Sequence, residues 1–503
     1  MPIAKHLTAW LLLAAASANP VVAASDTAPV ARDVQLPAWA ETALRAMNAK
    51  DYTTALRLIT AGIASPTSTT MPTAVRVAAL EAGVTCAYET GQKDLAHRFA
   101  LDATQFDEAS DWVWRTRLWL ELGAKTPDAA FATVVAMTQG RGGALNSAPV
   151  QWMFSLTRQL RDGGDLAARR RLLAMLTASS YQPQSAIPVI DPFRRDYAGL
   201  LYEAGEKDAA LAQVRQIENS SMLLLLSVDP RFRQALGADF SPRVAVERFL
   251  ATLRTAAVLH PESLEVVIEI AARERQLGHA DAALATLQAA APLGPKAASY
   301  TDLGEQLNWW WDGVGRAQEA LGHSEAALGA FAQGKATVEY GALNVSQTIN
   351  LAWAQLRVGH TSDALATLTV FDVPGRDVSA YGVMEMRSVQ ACAATRLGRA
   401  ADAAVAIAFV KAHRRDNIGA LGDVLLCAGD FDGAAADFIQ RLDDPEQRAT
   451  ALLALSDYDP PEGTLPPDPI YSRLPMLKRR PDVQAAISRA GGTRRIPLQR
   501  EPI

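Results

Sequence analysis

Six glycines between residues 205 and 429 share the same surroundings, and that periodicity limits the possible folds more than any other feature. Gly205, Gly278, Gly322, Gly359, Gly398 and Gly429 each end an apolar helical pattern and precede a polar residue. Seven positions before each stands a small residue: Ala198, Ala271, Gly315, Ala352, Ala391 and Gly422. Five after each stands alanine (Ala210, Ala283, Ala327, Ala364, Ala403, Ala434), and nine after each a large apolar residue (Val214, Leu287, Phe331, Leu368, Ile407, Phe438). Small residues on consecutive helices let their axes come close, and glycine permits the tight turn between them. The residue at +9 lies one turn beyond the alanine, on the same face, where it plugs the gap toward the next pair. The pattern predicts repeated helix pairs stacked into an array.

Composition agrees with this. Alanine makes up roughly a fifth of the 503 residues and aromatics only 7%, which suits close-packed helices, since Ala is the best helix former and a poor strand residue. A hydrophobic share of 49% with 20% charged excludes wholesale disorder. The balance of 49 Lys+Arg against 54 Asp+Glu, a net charge of −5, argues against a dedicated nucleic-acid binder.

The pattern resembles the tetratricopeptide (TPR) repeat, most closely over residues 202–211, where Tyr202, Ala204, Gly205, Ala209, Ala210 and Leu211 stand. Pro295 closes one unit and Pro445 follows another, where that family often places proline. Earlier units are weaker. Lys50 stands for the turn glycine before Ala55 and Ile59, and Lys125 does so before Ala130 and Val134. Gly91 with Ala96 is a partial match, and Gly163-Gly164-Asp165 is offset by a residue. Later turn glycines are spaced 44, 37, 39 and 31 residues apart, against a family period of about 34. The resemblance implies an all-α fold, an α-solenoid of TPR-like helix pairs in a right-handed superhelix, with a short irregular C-terminal cap. The resemblance covers about residues 39–456; with the signal-like start and the change of composition after Leu455, the expected division is a signal peptide (1–24), a linker (25–38), N-terminal degenerate repeats (39–218), an irregular connector (219–258), C-terminal repeats (259–456) and a Pro-rich basic tail with a short capping helix (457–503).

The first residues read as a cleavable secretory signal of bacterial type. Lys5 precedes an apolar run centred on Trp10–Leu13, and the small residues up to Ala24 offer a cleavage site. A periplasmic or secreted location follows as an expectation, without a transmembrane segment in the mature chain. Cys86, Cys392 and Cys427 are too few for a disulfide framework; lying in helical patterns, they are expected as buried thiols. From Tyr471 onward eight basic residues face two acidic ones. That tail is expected to be solvated or docked on the array, with weak contact to anionic envelope components as the other reading.

Sites of known chemistry are missing from the sequence. Gly329–Ala336 nearly spells a phosphate loop, but Ala336 replaces the magnesium-binding Ser or Thr and no strand precedes it. His279, His323 and His360 each follow a turn glycine, so they should form a row too sparse to share a zinc ion. No metal or cofactor and no catalytic constellation is expected. Trp309-Trp310-Trp311 cannot share one buried face, because consecutive helical residues point about 100° apart.

In TPR proteins the first helix of each pair lines a concave groove. Carried over, its offsets place Arg275, Gln276, Trp309, Asp312, Arg316, Glu319, Trp353, Arg357, Thr395 and Arg396 on that surface. Guanidinium groups with two indoles suit a peptide or another carboxylate-bearing chain. The expected function is a non-enzymatic, exported protein–protein interaction scaffold. The alternative is an envelope-polymer-binding or polymer-processing enzyme or accessory factor on a helical solenoid.

Overall fold

The computed structural model describes residues 36–66, 70–338, 343–372, 378–460, 468 and 470–500. The expected signal sequence lies outside them. No helix among the described residues is long and apolar enough to cross a membrane. The chain divides into two compact units, Met1–Gln184 and Ser185–Ile503.

The first unit contains α1 (Ala38–Asn48), α2 (Tyr52–Ala64), α3 (Thr73–Glu89), α4 (Lys93–Ala103), α5 (Asp111–Gly123), α6 (Pro127–Gly140), α7 (Gly142–Asn146), α8 (Val150–Asp162) and α9 (Leu166–Leu176). Helices α1 and α2, α3 and α4, α5 and α6, and α8 and α9 pack as pairs. Each pair turns on one residue with left-handed backbone: Lys50 (φ 58°), Gly91 (77°), Lys125 (55°) and Gly164 (78°). Two lysines therefore hold a conformation that glycine adopts without steric cost. The left-handed residue of the last pair is Gly164, not Gly163. That register puts buried Arg169 in the alanine position, which is why the unit looks offset in sequence.

The second unit opens with α10 (Asp191–Glu203), α11 (Lys207–Val214), α12 (Ser220–Val228), α13 (Pro242–Leu259), α14 (Leu264–Gln276) and α15 (Ala280–Ala290). It continues with α16 (Leu303–Ala320), α17 (Ser324–Ala336), α18 (Val345–Arg357), α19 (Thr361–Leu368), α20 (Ala380–Arg396), α21 (Ala400–Ala412), α22 (Ala420–Ala428) and α23 (Phe431–Asp443). The six turn glycines all have φ between 69° and 94°. The stretch 219–258, read from sequence as an irregular connector, carries α12 and α13, and the division between compact units falls earlier, after Gln184. The apolar run Met222–Leu226 has the helical content for this, and Asn219 caps α12 by accepting from the backbone N–H of Ser221 and Met222.

The repeat pattern has a direct packing cause. The small residue at −7 and the large one at +9 belong to the two helices of one pair and press on each other. A Cβ on Gly315 would stand 2.9 Å from the Phe331 ring, and one on Gly422 2.9 Å from Phe438. Where the +9 residue is phenylalanine the −7 residue is glycine; where it is aliphatic, alanine suffices. Leu287 also meets Gly313 of the following pair.

The C-terminal region is built into the second unit. After α24 (Arg448–Ala454) come β1 (Asp457–Asp459), α25 (Leu474–Lys478), α26 (Pro481–Arg489) and β2 (Arg495–Gln499), with β1 and β2 paired in parallel. Ile496 and Leu498 alternate inward on β2 and are fully buried among Val246, Phe249 and Leu253 of α13 and Val266 and Ile270 of α14. At its other end α26 packs on α23. The segment thus runs from the last repeat back to α13 and α14, and its basic residues find acidic partners on the way. Arg480 pairs with Asp432 at 2.7 Å, Arg489 with Asp443 at 3.3 Å and Lys478 with Asp457 at 2.7 Å.

The thiol expectation holds for one cysteine and fails for two. Cys86 is buried and free, its thiol pushed up to about 12 by burial. Cys392 and Cys427 form a disulfide joining α20 to α22, with Cα atoms 5.2 Å apart. The stagger of those helices brings the two residues together, and spacing along the chain does not reveal it.

Candidate functional site

The groove offsets select residues on the side where the C-terminal segment lies, but most of them are buried. Arg275, Gln276, Asp312, Glu319, Trp353 and Arg357 are all less than 9% exposed. Arg316 and Thr395 are half-buried, and Arg396 is exposed. Trp309, at 38%, is the more open indole, because Trp353 is sunk in the core at 4%.

Two causes account for the burial. First, several of these side chains clip successive repeats together. Asn350 on α18 donates to Asp312 on α16 at 2.8 Å, and Arg357 on α18 donates to both oxygens of Glu319 on α16 at 2.6 and 3.0 Å. The Trp353 indole N–H donates to Glu385 on α20 at 3.0 Å. Arg316 is paired within its own helix to Asp312 at 2.7 Å. Second, the chain's own C-terminal segment covers this side. Arg396 donates to the carbonyl of Leu356 and stands near Asp468 and Arg473. Arg473 itself donates to the carbonyls of Leu426 and Cys427 at the end of α22.

Between the repeats and that segment lies a cavity of about 720 Å³. The repeat side supplies Arg275, Arg316, Glu319, Ala320, Ser324, Arg357 and Val358, from α14 and α16 to α18 and their ends. The segment supplies Leu455–Asp459, Asp468, Tyr471, Ser472, Leu474, Pro475, Lys478, Arg479, Gln484, Gln499 and Arg500. Arg500 lies over two rings, 4.2 Å from the centre of Tyr458 and 4.7 Å from that of Tyr471, and donates to the carbonyls of Ala454 and Ser456. Burial raises both tyrosine hydroxyls above their ordinary range, with the Arg500 charge opposing the rise, so both rings are neutral phenols at physiological pH. The structure thus brings Arg275, Arg316, Glu319 and Arg357 to one cavity and leaves Gln276, Trp309, Asp312, Trp353 and Arg396 off its walls.

Sequence reasoning missed the segment's half of the wall. The alternation Arg495-Ile496-Pro497-Leu498-Gln499 is a strand signal, but its partner is the three-residue β1, too short to be read by itself. Beside the cavity, burial lifts the Asp423 carboxyl to about 7; Glu385, Asp468 and Asp437 raise it further and Arg441 opposes them. Burial also raises Glu385, despite hydrogen bonds from Trp353, Tyr381 and Asn417. The three histidines are exposed residues at helix starts, and no group of three metal-binding side chains occurs among the described residues.

No family model matches the sequence, and no curated protein matches it. Two solved structures align over most of their length. One is a structure of Naa15/Naa10 bound to HypK-THB, at 11% identity and a TM-score of 0.25, covering 90% of this chain and 95% of that one. The other is the P58(IPK) TPR domain, at 14% identity and a TM-score of 0.19, covering 82% and 94%. Likeness at this level adds nothing to what the helix pairs show. Paired helices, a left-handed turn residue and a small residue packed on a large one recur along the chain. The chain is an all-α protein built of repeated helix pairs. Its own C-terminal segment packs against repeats of the second unit and encloses the cavity with them.

Proposed function

We propose that the protein is an exported, non-enzymatic interaction scaffold that binds a protein or peptide partner on the groove side of its second unit. The observation that carries this reading is the convergence of Arg275, Arg316 and Arg357, from three successive repeats, on one cavity. A carboxylate-bearing partner suits the rim of that cavity, where Arg479 is exposed and Lys478 half-buried, since cationic side chains bind carboxylates. Exposed Trp309 extends the same helix face one turn beyond Asp312 and offers an aromatic contact. The signal-like start supports export, and the Cys392–Cys427 disulfide is at home in an oxidising compartment.

A photo-crosslinking residue at position 309, in the native host, tests the partner reading by mass spectrometry. A protein should be captured by the parent chain and lost when Lys478→Glu and Arg479→Glu reverse the charge at the cavity rim. Capture unchanged by that reversal, or no protein adduct at all, removes the reading. Intact mass of the protein from the same host tests export, with a start near Ser25 expected and retention of residues 1–24 contradicting it.

A further inference from the structure

The cavity has the build of a small-molecule site in its own right. Its volume of about 720 Å³ falls within the range of pockets that enclose organic ligands, roughly 300–1,000 Å³. The repeats contribute one wall and the folded-back C-terminal segment the other, so a ligand there would be bounded on two sides. Apolar surface comes from both sides, with Ala320 and Val358 facing Leu455, Leu474 and the rings of Tyr458 and Tyr471.

Charge on the walls is uneven. Six cationic side chains line the cavity against four carboxylates, and the carboxylates already have partners. Glu319 binds Arg357, Asp457 binds Lys478, and Asp459 binds Arg495, which is not part of the wall. Asp468 accepts from the backbone N–H groups of Ile470 and Tyr471. Arg500, by contrast, hydrogen-bonds among the described residues only to carbonyls, through Nη2 alone. No carboxylate among the described residues therefore pairs with it at contact distance, and a guanidinium has five N–H donors. An anionic group beside Arg500, with its apolar remainder between Val358 and the tyrosine rings, would meet both demands of the wall.

We propose that this cavity binds a small organic anion with an apolar body, clasped between the repeat helices and the C-terminal segment. The site shares its cavity with the partner surface proposed above but claims a different occupant, so probe binding tests it separately from crosslinking at position 309. A matched pair of probes tests it on the full mature chain: 8-anilinonaphthalene-1-sulfonate, and N-phenyl-1-naphthylamine, which has the same rings without the charge.

The sulfonate probe should saturate at one site per chain, at least tenfold more tightly than the neutral amine, and raise the melting temperature. Ala320→Phe fills the cavity and should abolish binding of both probes. Arg500→Met keeps the stem but removes the charge; it should weaken the sulfonate at least tenfold and leave the amine unchanged. A merely structural role for Arg500 would weaken both equally, so this split decides the matter even if Ala320→Phe fails to fold. Equal affinity for the two probes, or non-saturating fluorescence, overturns the proposal. So does a folded Ala320→Phe protein that binds like the parent. Full displacement of the sulfonate by millimolar inorganic phosphate would overturn the apolar half of the claim.

Discussion

A Cβ on Gly315 would come 2.9 Å from the Phe331 ring, and one on Gly422 just as close to Phe438, so each of these glycines makes room for a particular ring. Gly315→Ala is expected to destabilise the fold by about 1–3 kcal/mol through overpacking. Phe331→Leu in the same chain should recover much of that loss, because it restores the alanine–leucine pairing seen at Ala271 and Leu287. A double-mutant cycle by denaturant unfolding checks this, and strict additivity would mean that the two side chains do not oppose each other. Arg357 behaves differently from an exposed groove arginine, since its side chain and that of Glu319 are each only 9% exposed. Arg357→Ala leaves a buried carboxylate without its partner and should cost about 3–5 kcal/mol. Partner loss in that variant would reflect damage to the fold as much as loss of a contact. Charge reversal at Lys478 and Arg479 avoids the problem, as Arg479 is exposed and Lys478 makes a surface pair.

Between elements, the disulfide ties α20 to α22, and a half-buried carboxylate on α22 makes the fold sensitive to pH. Cys392 and Cys427 are 35 residues apart, a loop whose closure is worth about 3–4 kcal/mol in the chain-entropy account. Cys392→Ser with Cys427→Ser should lower the melting temperature, whereas adding reductant to the native protein should act slowly, because both sulfurs are buried. Equal melting of the parent and the double serine variant under oxidising conditions would contradict the bridge. Asp423 on α22 ionises at about 7 in the fold but near 4, roughly its ordinary value, in the unfolded chain. Between those values the folded state holds the extra proton, so stability falls as pH rises through the window and levels off above it. Asp423→Asn should flatten that slope in melting curves between pH 5 and 8. The groups facing it are Arg441, Glu385, Asp437 and Asp468, and an unchanged slope would assign the dependence to another of these carboxyls.

For the whole chain, the second unit depends on its own C-terminal end. Ile496→Asp would place a charge among Phe249, Leu253 and Ile270, a position where an unpaired carboxylate is strongly disfavoured. It should release the segment, so protease cuts appear after residue 455 while far-ultraviolet dichroism stays helical. Resistance equal to the parent's would show that β2 does not anchor the segment. The repeats and their turns were legible from sequence, because they follow from local steric rules repeated along the chain: a left-handed turn, a small residue and a large one at fixed offsets. Lys50 and Lys125 were recognisable as turn residues from their neighbours alone, and both have positive φ. What the groove-side residues touch was not legible. Trp353 and Arg357 look like exposed groove residues by offset, yet Glu385 and Glu319, on neighbouring repeats, draw them inward. The cavity was hidden for the same reason, since its second wall comes from Tyr458, Tyr471 and Arg500, far along the chain from Arg275, Arg316 and Arg357 on the first. Local sequence determines the helix pair and its period. Contacts between neighbouring repeats and the return of the C-terminal segment over the second unit decide which of its side chains meet water, because those contacts depend on distances no local pattern encodes.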